Sequence, residues 1–431
     1  MKHLLLLLSF SIFLHPLDLK IASYNVENLF DMEYNGSEYR AYIPNKHGWN
    51  YKNFRKKLLN ISEVICDVNA DIIGLEEVEN GSVLKALQRS LRKIGCFYNY
   101  SAITHKRGSA IQIALLSKYP INSIKEIIVD RGLEYRNILE IKYIFNHKPF
   151  FIFVNHWKSK SSAESFRMLS AKALLKRLES LPKESEYILL GDFNSDYNEY
   201  RIIQRKHNNC NGKTGINHTL QTIHSNGLFV RPFSFKKPFE HYNLWLEVSN
   251  YKRWSHNFYG KKEGLDAILL PETLFDGEGI DYIENSFRVF KKRYLFHKKG
   301  YILRWVYKKQ RHKGIGYSDH LPLFARFSTE SRFKKRTHSP IYGSIEVIYG
   351  KNPSFPIRLK EVTVVKKEPK KVRIRESNST DEIALYGVKN GLLLNHRYDI
   401  AVYGRKLYKG HYEIIDFEIE KSYDSSSKNK D

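Results

Sequence analysis

Cysteine is scarce in this chain and acid is in the minority. Three cysteines in 431 residues, Cys66, Cys96 and Cys210, are too few for a disulfide framework, and their spacing fits no zinc site. They allow one bridge at most and the sequence requires none. Cys66, in a helix ending near Ala70, reads as a small buried apolar group. Past the first residues no apolar run is long enough to cross a bilayer, so stable membrane insertion of the mature chain is not expected. Asp and Glu number 46 against 71 Lys and Arg, a formal net charge of +25 that points to polyanionic partners: DNA, RNA or an anionic membrane surface. The basic residues run through the whole chain, including KKRYLFHKKG (291–300) and KKQRHK (308–313), which lie among or near aromatics.

The N-terminus, MKHLLLLLSFSIFLHP, joins a basic start to an apolar run from Leu4 to Leu14, the length of a signal-peptide core. Export to the periplasm or the outside is expected, with residues 1–18 as leader. No A-x-A cleavage site follows, and an uncleaved anchor or a buried N-terminal strand is the alternative. After it, Phe54, Leu58, Ile61, Ile65 and Val68 recur at helical spacing before the strand-like DIIGL, and Phe166, Leu169, Ala173, Leu178 and Leu181 do so before YILLGD. Strand, helix, strand twice over predicts an α/β layered domain, and over 300 residues are enough to bury its core without staples.

Polar groups cluster where apolar strands end. YILLGDFNSD (187–196) sets Asp192 and Asn194 in the turn after a buried strand, where open α/β sheets keep their sites. DIIGLEEV (71–78) offers Glu76 and Glu77, GYSDHLPLFARF (316–327) places Asp319 beside His320, IASYNVENLF (21–30) carries Asn25, FVNHWKSK (153–160) carries Asn155 and His156, and EGLDAILL (263–270) carries Asp266. One Gly-Asp-x-Asn turn alone is common chemistry. Six such motifs in order resemble the endonuclease/exonuclease/phosphatase family, DNase I-like, over about residues 19–328.

That resemblance implies a four-layer sandwich, two mixed sheets between helices, over 19–329, and phosphodiester hydrolysis dependent on Mg²⁺ or Mn²⁺. Glu77, Asn25 and Asp319 are then the expected metal residues, carboxylate and amide oxygens being suited to a hard cation. Glu76 stands where relatives usually carry Gln and reads as a solvated strand-end carboxylate. His320 is the expected general base with Asp266 fixing its tautomer; Asp192 and Asn194 orient the water, and His156 contacts phosphate or acts as acid. Arg136 in YRNILEIKY and Asn155 are expected at the phosphate. Histidine at 156 resembles the DNase I-like and sphingomyelinase-like branches, whereas exonuclease III-like members carry Tyr there. The chain departs from the DNase I pattern in one respect: KRGSAIQIALLSK (106–118) holds no acid to pair with His156, and Gln112 is the one obvious polar partner on that strand.

Beyond FARFSTE comes a basic linker (330–340), then a β-rich segment (341–422) and a polar tail (423–431) expected to be disordered. YGSIEVIYG, IRLKEVTVV, KKVRIRES, EIALYGV, YDIAVYGRKLY and HYEIIDFEIE read as short strands whose succession resembles the OB-like barrel appended to secreted nucleases. In KVRIR, Lys371, Arg373 and Arg375 alternate with Val372 and Ile374, making a basic stripe; Tyr386, Tyr403, Tyr408 and Tyr412 are candidates to stack on bases. The leading expectation is an exported, monomeric, metal-dependent DNA endonuclease of low sequence preference with no protein partner. The alternatives are a sphingomyelinase-like phosphodiesterase, docking through NLWLEV (243–248) or FVRPFSF (229–235), and a catalytically silent nucleic-acid-binding protein.

Overall fold

A computed structural model describes residues 17–258, 260–330, 342–377, 379–387 and 392–423; the expected leader up to residue 16, the linker past Glu330 and the tail past Tyr423 fall outside them. Strands β1 (Asp18–Leu29), β2 (Ile72–Val78), β3 (Tyr100–Ile103) and β4 (Gln112–Ser117) begin one sheet, and β5 (Ser123–Ile127), β6 (Ile138–Phe145), β7 (Lys148–His156) and β8 (Glu186–Asp192) begin another. The second is completed by β9 (Tyr242–Asn243) and β12 (Asp266–Leu270), with a hairpin β10 (His256–Phe258) and β11 (Lys261–Glu263) between them. The chain then returns to the first sheet through β13 (Asp281–Tyr282), β14 (Arg288–Val289) and β17 (Leu323–Ser328), after a small hairpin β15 (Tyr307–Lys308) and β16 (Arg311–His312). Spatial orders are β13-β17-β1-β2-β4-β3, with β14 also on β17, and β5-β6-β7-β8-β12-β9.

Each of these sheets holds one parallel pair. β1 and β2 are joined across α1 (Tyr51–Val68), and β7 and β8 across α3 (Glu164–Glu179), so each pair ends its strands in the same direction. Asn25 and Glu77 lie at the ends of the first pair, His156 and Asp192 at the ends of the second. The sheets pack face to face so closely that a Cβ on Gly74 of β2 would lie 2.6 Å from Leu190 Cδ1 and 2.8 Å from Val154 Cγ1. On the outer face of the first sheet, α1 buries Phe54, Leu58, Ile61, Ile65 and Val68, the stripe read from the sequence. Asn50 caps its first turn by accepting from Asn53 N–H, and Asn69 ends it in the left-handed conformation.

Three expectations about this domain need correction. The inward face of α3 is Arg167, Ser170, Ala171, Leu174 and Leu178, not the stripe through Phe166, Leu169 and Ala173. The cause is a fully buried ion pair, Arg167 to Glu164 at 2.6 Å, whose guanidinium also donates to the Ser159 carbonyl at 3.0 Å. Cys66 is not a free thiol but forms a disulfide with Cys96, Cα to Cα 5.8 Å, tying the end of α1 to the segment after α2 (Gly81–Lys93). Finally, Phe229, Val230, Leu244, Trp245 and Leu246 are all buried, so the proposed membrane-docking segments present no apolar tip. No described helix is long and apolar enough to cross a membrane.

The C-terminal strands β18 (Ile357–Glu368), β19 (Lys371–Arg375), β20 (Glu382–Tyr386), β21 (Arg397–Tyr408) and β22 (His411–Tyr423) close into a barrel in the order β18-β19-β20-β22-β21, with β20 and β22 parallel. In β19, Val372 and Ile374 point inward as their alternation requires. The stretch SIEVIY, expected as a strand, is instead the short helix Ile345–Tyr349; Ser344 caps it, and Ile345 and Ile348, three apart, enter the barrel core.

The barrel docks on the sandwich through buried ions. Arg253 meets Glu418 at 2.9 Å, Arg231 meets Glu420 at 3.3 Å, and Asn250 N–H donates to Asp416 at 2.9 Å. Tyr403 belongs to this contact: it is buried and its hydroxyl accepts from Arg231 at 3.2 Å, so it has no face for a base, contrary to expectation. Tyr386 and Tyr408 are exposed, whereas Tyr412 is covered by the Arg405 guanidinium 3.6 Å from its ring centre. Lys371 pairs with Glu413 at 3.1 Å and Arg373 with Glu368 at 3.5 Å, which neutralises much of the expected stripe and leaves Arg375 exposed at its end.

Candidate active site

The pocket forms where the two parallel pairs end opposite each other, and backbone irregularities aim its side chains. Glu77 takes a left-handed conformation, φ 66°, and the register of β2 against β4 slips there. Such a bulge turns one side chain out of the strand's alternation. Glu77 thereby reaches the pocket, accepting from Asn25 Nδ2 at 3.1 Å and from Asn28 N–H at 2.9 Å. Gly191 is needed for a related reason: at φ 129° a Cβ there would lie 2.1 Å from the Asn155 carbonyl oxygen. Without that crowding β8 runs on to Asp192, whose Oδ1 accepts from Asn194 N–H at 2.8 Å and closes the turn.

Asp192 Oδ2 is the centre of the arrangement. Asn25 Nδ2 donates to it at 3.1 Å, His156 Nε2 lies at 3.7 Å and His320 Nε2 at 3.9 Å; His156 Nε2 is also 3.8 Å from Glu77 Oε1. On the other side of His320, Nδ1 is 2.8 Å from Asp266 Oδ2, which also accepts from the Ser255 hydroxyl. Asp266 is cross-strand neighbour to Asp192 on β12, so one sheet register places both acids. The SDH segment is tied to β1 by Ser318, whose hydroxyl donates to the Asn25 carbonyl at 2.6 Å while accepting from His320 N–H at 3.0 Å.

The two histidines are biased in opposite directions. His320 is held well above the ordinary imidazole range: burial works against its charge, but Asp266, Asp192 and Asp319 outweigh it. His156 is pushed well below that range by burial, then by Arg136 and His320, and its Nδ1 has no hydrogen-bond partner. These influences favour its neutral form. Gln112 is not its partner, since its amide is spent on Thr104 at 2.9 Å and on Lys106 N–H and C=O at 3.0 Å each.

Asn155 does not reach the phosphate position. It is fully buried, donating to the Phe153 and Leu190 carbonyls at 3.1 and 3.3 Å and accepting from Trp157 Nε1 at 3.1 Å, so it braces β7 against β8. Arg136 does border the pocket: it donates to the Trp157 carbonyl at 3.1 Å, as Asn194 Nδ2 does at 3.0 Å. Asp319 is drawn to Arg304 at 3.2 Å and lies 3.8 Å from His256 Nε2; despite burial, His256, His320 and Arg304 hold its carboxyl well below the usual range. Glu76 is no solvated carboxylate. It is fully buried beneath the pocket, accepts from the Ser23 hydroxyl at 3.0 Å, and is pushed well above the carboxylate range by burial, Asp266 and Asp192. A protonated carboxyl can donate a hydrogen bond as an amide would.

The sequence reading missed three neighbours: Tyr39, beside Arg136 and Glu77; Arg304, bridging Glu27 and Asp319; and His256, whose ring centre is 4.6 Å from that of His320. None lies in a strand-end motif, and only the β-bridge of His256 to His320 brings the last one in.

Ligand-type atoms of Asp192, Asp266 and His320 lie within 4.8 Å of one another and are buried. Asp266 and His320 are already bonded to each other, which leaves Asp192 and Glu77 to face a cation; Asn25 fixes both carboxylates through Nδ2 while its Oδ1 accepts from Glu27 N–H. Two carboxylates, without sulfur, fit a hard divalent ion.

An α/β sandwich with carboxylates, amides and a His-Asp pair at its strand ends defines a hydrolase of phosphate esters. The chain belongs to the Endonuclease/Exonuclease/phosphatase family, whose model matches residues 20–329. Solved structures similar to it include D. rerio TDP2 humanized by 14 mutations (12% identity, TM-score 0.46, covering 72% of this chain and 98% of that one). D. rerio TDP2 complexed with single strand DNA product follows (14%, 0.45, 72% and 98%), as does a Bacteroides thetaiotaomicron family protein (16%, 0.43, 73% and 99%). No curated protein matches the chain.

Proposed function

We propose that this chain is an exported, divalent-metal-dependent DNA endonuclease that cuts with little sequence preference. The observation that carries the chemistry is the convergence of Asn25, His156 and His320 on Asp192 Oδ2, with Asp266 holding the far nitrogen of His320. His320 accepts the water proton at Nε2, and Asp266 stabilises the imidazolium that results. Asp192 and Asn194 orient that water. His156, neutral, donates from Nε2 to a phosphoryl oxygen, and Arg136 adds charge beside it. Glu77 and Asp192, held by Asn25 Nδ2, would bind Mg²⁺ or Mn²⁺, which would polarise the phosphoryl group and offset charge on the leaving oxygen. The water oxygen bonds to phosphorus as the ester P–O bond breaks, its proton goes to His320, and the leaving alkoxide takes a proton from solvent.

The net charge of +25 suits a polyanionic polymer, and the burial of Phe229, Val230, Leu244, Trp245 and Leu246 in the two candidate docking segments speaks against a membrane enzyme. The Cys66–Cys96 disulfide and the apolar N-terminal run support an oxidising destination. The test is nicking of supercoiled plasmid by the purified protein with Mg²⁺ or EDTA, beside His320→Ala. Metal-dependent nicking reduced on the order of 10² to 10⁴-fold in the variant is expected; no nicking with any divalent metal, or equal rates, overturns the reading.

A further inference from the structure

One charged cluster lies outside the pocket yet beside it. Trp254 is buried, 8% exposed, and two lysine ammoniums sit against its ring, Lys291 at 4.0 Å and Lys262 at 4.5 Å from the ring centre. Lys252 is close enough to act on the same spot: partial covering of the Lys291 side chain, then the charges of Lys262 and Lys252, together bring its ammonium down to about 8. All three lysines are exposed, and among the described residues none forms an ion pair with a carboxylate. This contrasts with Lys160, a nearby lysine compensated by Asp196 at 2.5 Å and Glu199 at 2.7 Å. Three cations gathered from separate segments and left mutually repelling are a site lacking its counter-charge.

Their position gives the site a direction. Residues 250–256 run from the barrel contact, where Asn250 bonds Asp416 and Arg253 pairs with Glu418, through Trp254 to Ser255 and His256 at the pocket. Lys262 lies opposite Asn257 on the same hairpin, and Lys291 follows β14, which pairs with the strand after His320. The aromatic ring holds the two ammoniums in place by cation–π attraction and by covering their stems.

We infer that Lys252, Lys262 and Lys291 form a backbone-phosphate subsite for the nucleic-acid strand leaving the pocket toward the barrel. The inference rests on the nucleic-acid reading above. Such contacts are made to phosphate alone and so add affinity without sequence preference.

The measurement is binding of a labelled 20-nucleotide single strand by fluorescence anisotropy across NaCl concentrations in EDTA. It compares the full chain, the Lys252→Gln/Lys262→Gln/Lys291→Gln variant, the three Lys→Arg changes, and a charge-matched control, Lys93→Gln/Lys176→Gln/Lys183→Gln. Three lost phosphate contacts lower the slope of log affinity against log salt by about 2. That loss in the first variant, with near wild-type slopes in the arginine and control proteins and unchanged melting temperatures, is expected. An unchanged slope in the first variant, or an equal loss in the control, overturns the subsite while leaving the nuclease reading standing. Absence of salt-dependent binding by the wild type overturns the subsite, and absence of plasmid nicking with any divalent metal as well overturns both.

Discussion

At the residue scale, protonation is set by neighbours. The imidazole of His320 stays charged above the ordinary range because three carboxylates surround it. A general base must be neutral, so the rate is expected to climb as pH rises through the His320 value. Asp266→Asn removes the nearest negative charge. It lowers that value and shifts the pH–rate profile toward acid, while cutting the maximal rate on the order of 10²-fold or more by releasing the ring. A profile unshifted in Asp266→Asn would remove Asp266 from the pair. Among the acids, Glu77 and Glu76 are adjacent in sequence and differ in fate: a bulge carries Glu77 into the pocket, and strand alternation buries Glu76 beneath it.

At the scale of elements, the helix facing the first sheet is readable from its apolar spacing because Phe54, Leu58, Ile61, Ile65 and Val68 all fall on its buried side, while its buried Lys57 and Asn60 bond to the Glu27 and Gly316 carbonyls outside that stripe. The helix facing the second sheet is not, since Arg167 and Glu164 occupy inward slots and neutralise each other there. The Cys66–Cys96 bridge closes a loop with a sequence separation of 30, joining the ends of segments that pack on the same sheet. Removing it by Cys66→Ser is expected to cost about 2–4 kcal/mol, chiefly by freeing the unfolded chain. Urea unfolding of the variant beside the wild type, oxidised and reduced, checks this: reduction should lower the wild-type midpoint and leave the variant's in place.

At the scale of the whole molecule, the barrel is fixed by ions taken out of water. Arg253 and Glu418 are both buried, with the Tyr197 hydroxyl 3.3 Å from the same carboxylate oxygen. Truncating Glu418 strands the buried Arg253, and truncating Arg253 leaves Glu418 only the more distant Arg201 at 3.7 Å, so Glu418→Ala is expected to destabilise the chain by about 3–5 kcal/mol and Arg253→Ala by somewhat less. The double variant should cost less than their sum. Equal denaturation midpoints in wild type and single variants would mean the barrel docks by other contacts.

The sequence by itself determined the layered α/β class, five of the six strands read in the C-terminal segment and eight of the pocket's side chains: Asn25, Glu77, Arg136, His156, Asp192, Asn194, Asp266 and His320. It could do so because apolar periodicity sets elements locally, and polar residues at strand ends have few other places to go. Only the tertiary structure decided what crosses between segments. It paired Cys66 with Cys96, turned Asn155 inward, took Tyr403 into the docking face, gave Asp319 to Arg304 and gathered three lysines on Trp254. Each of these depends on a neighbour distant along the chain, and burial energy and charge pairing choose that neighbour only once the sheets have met.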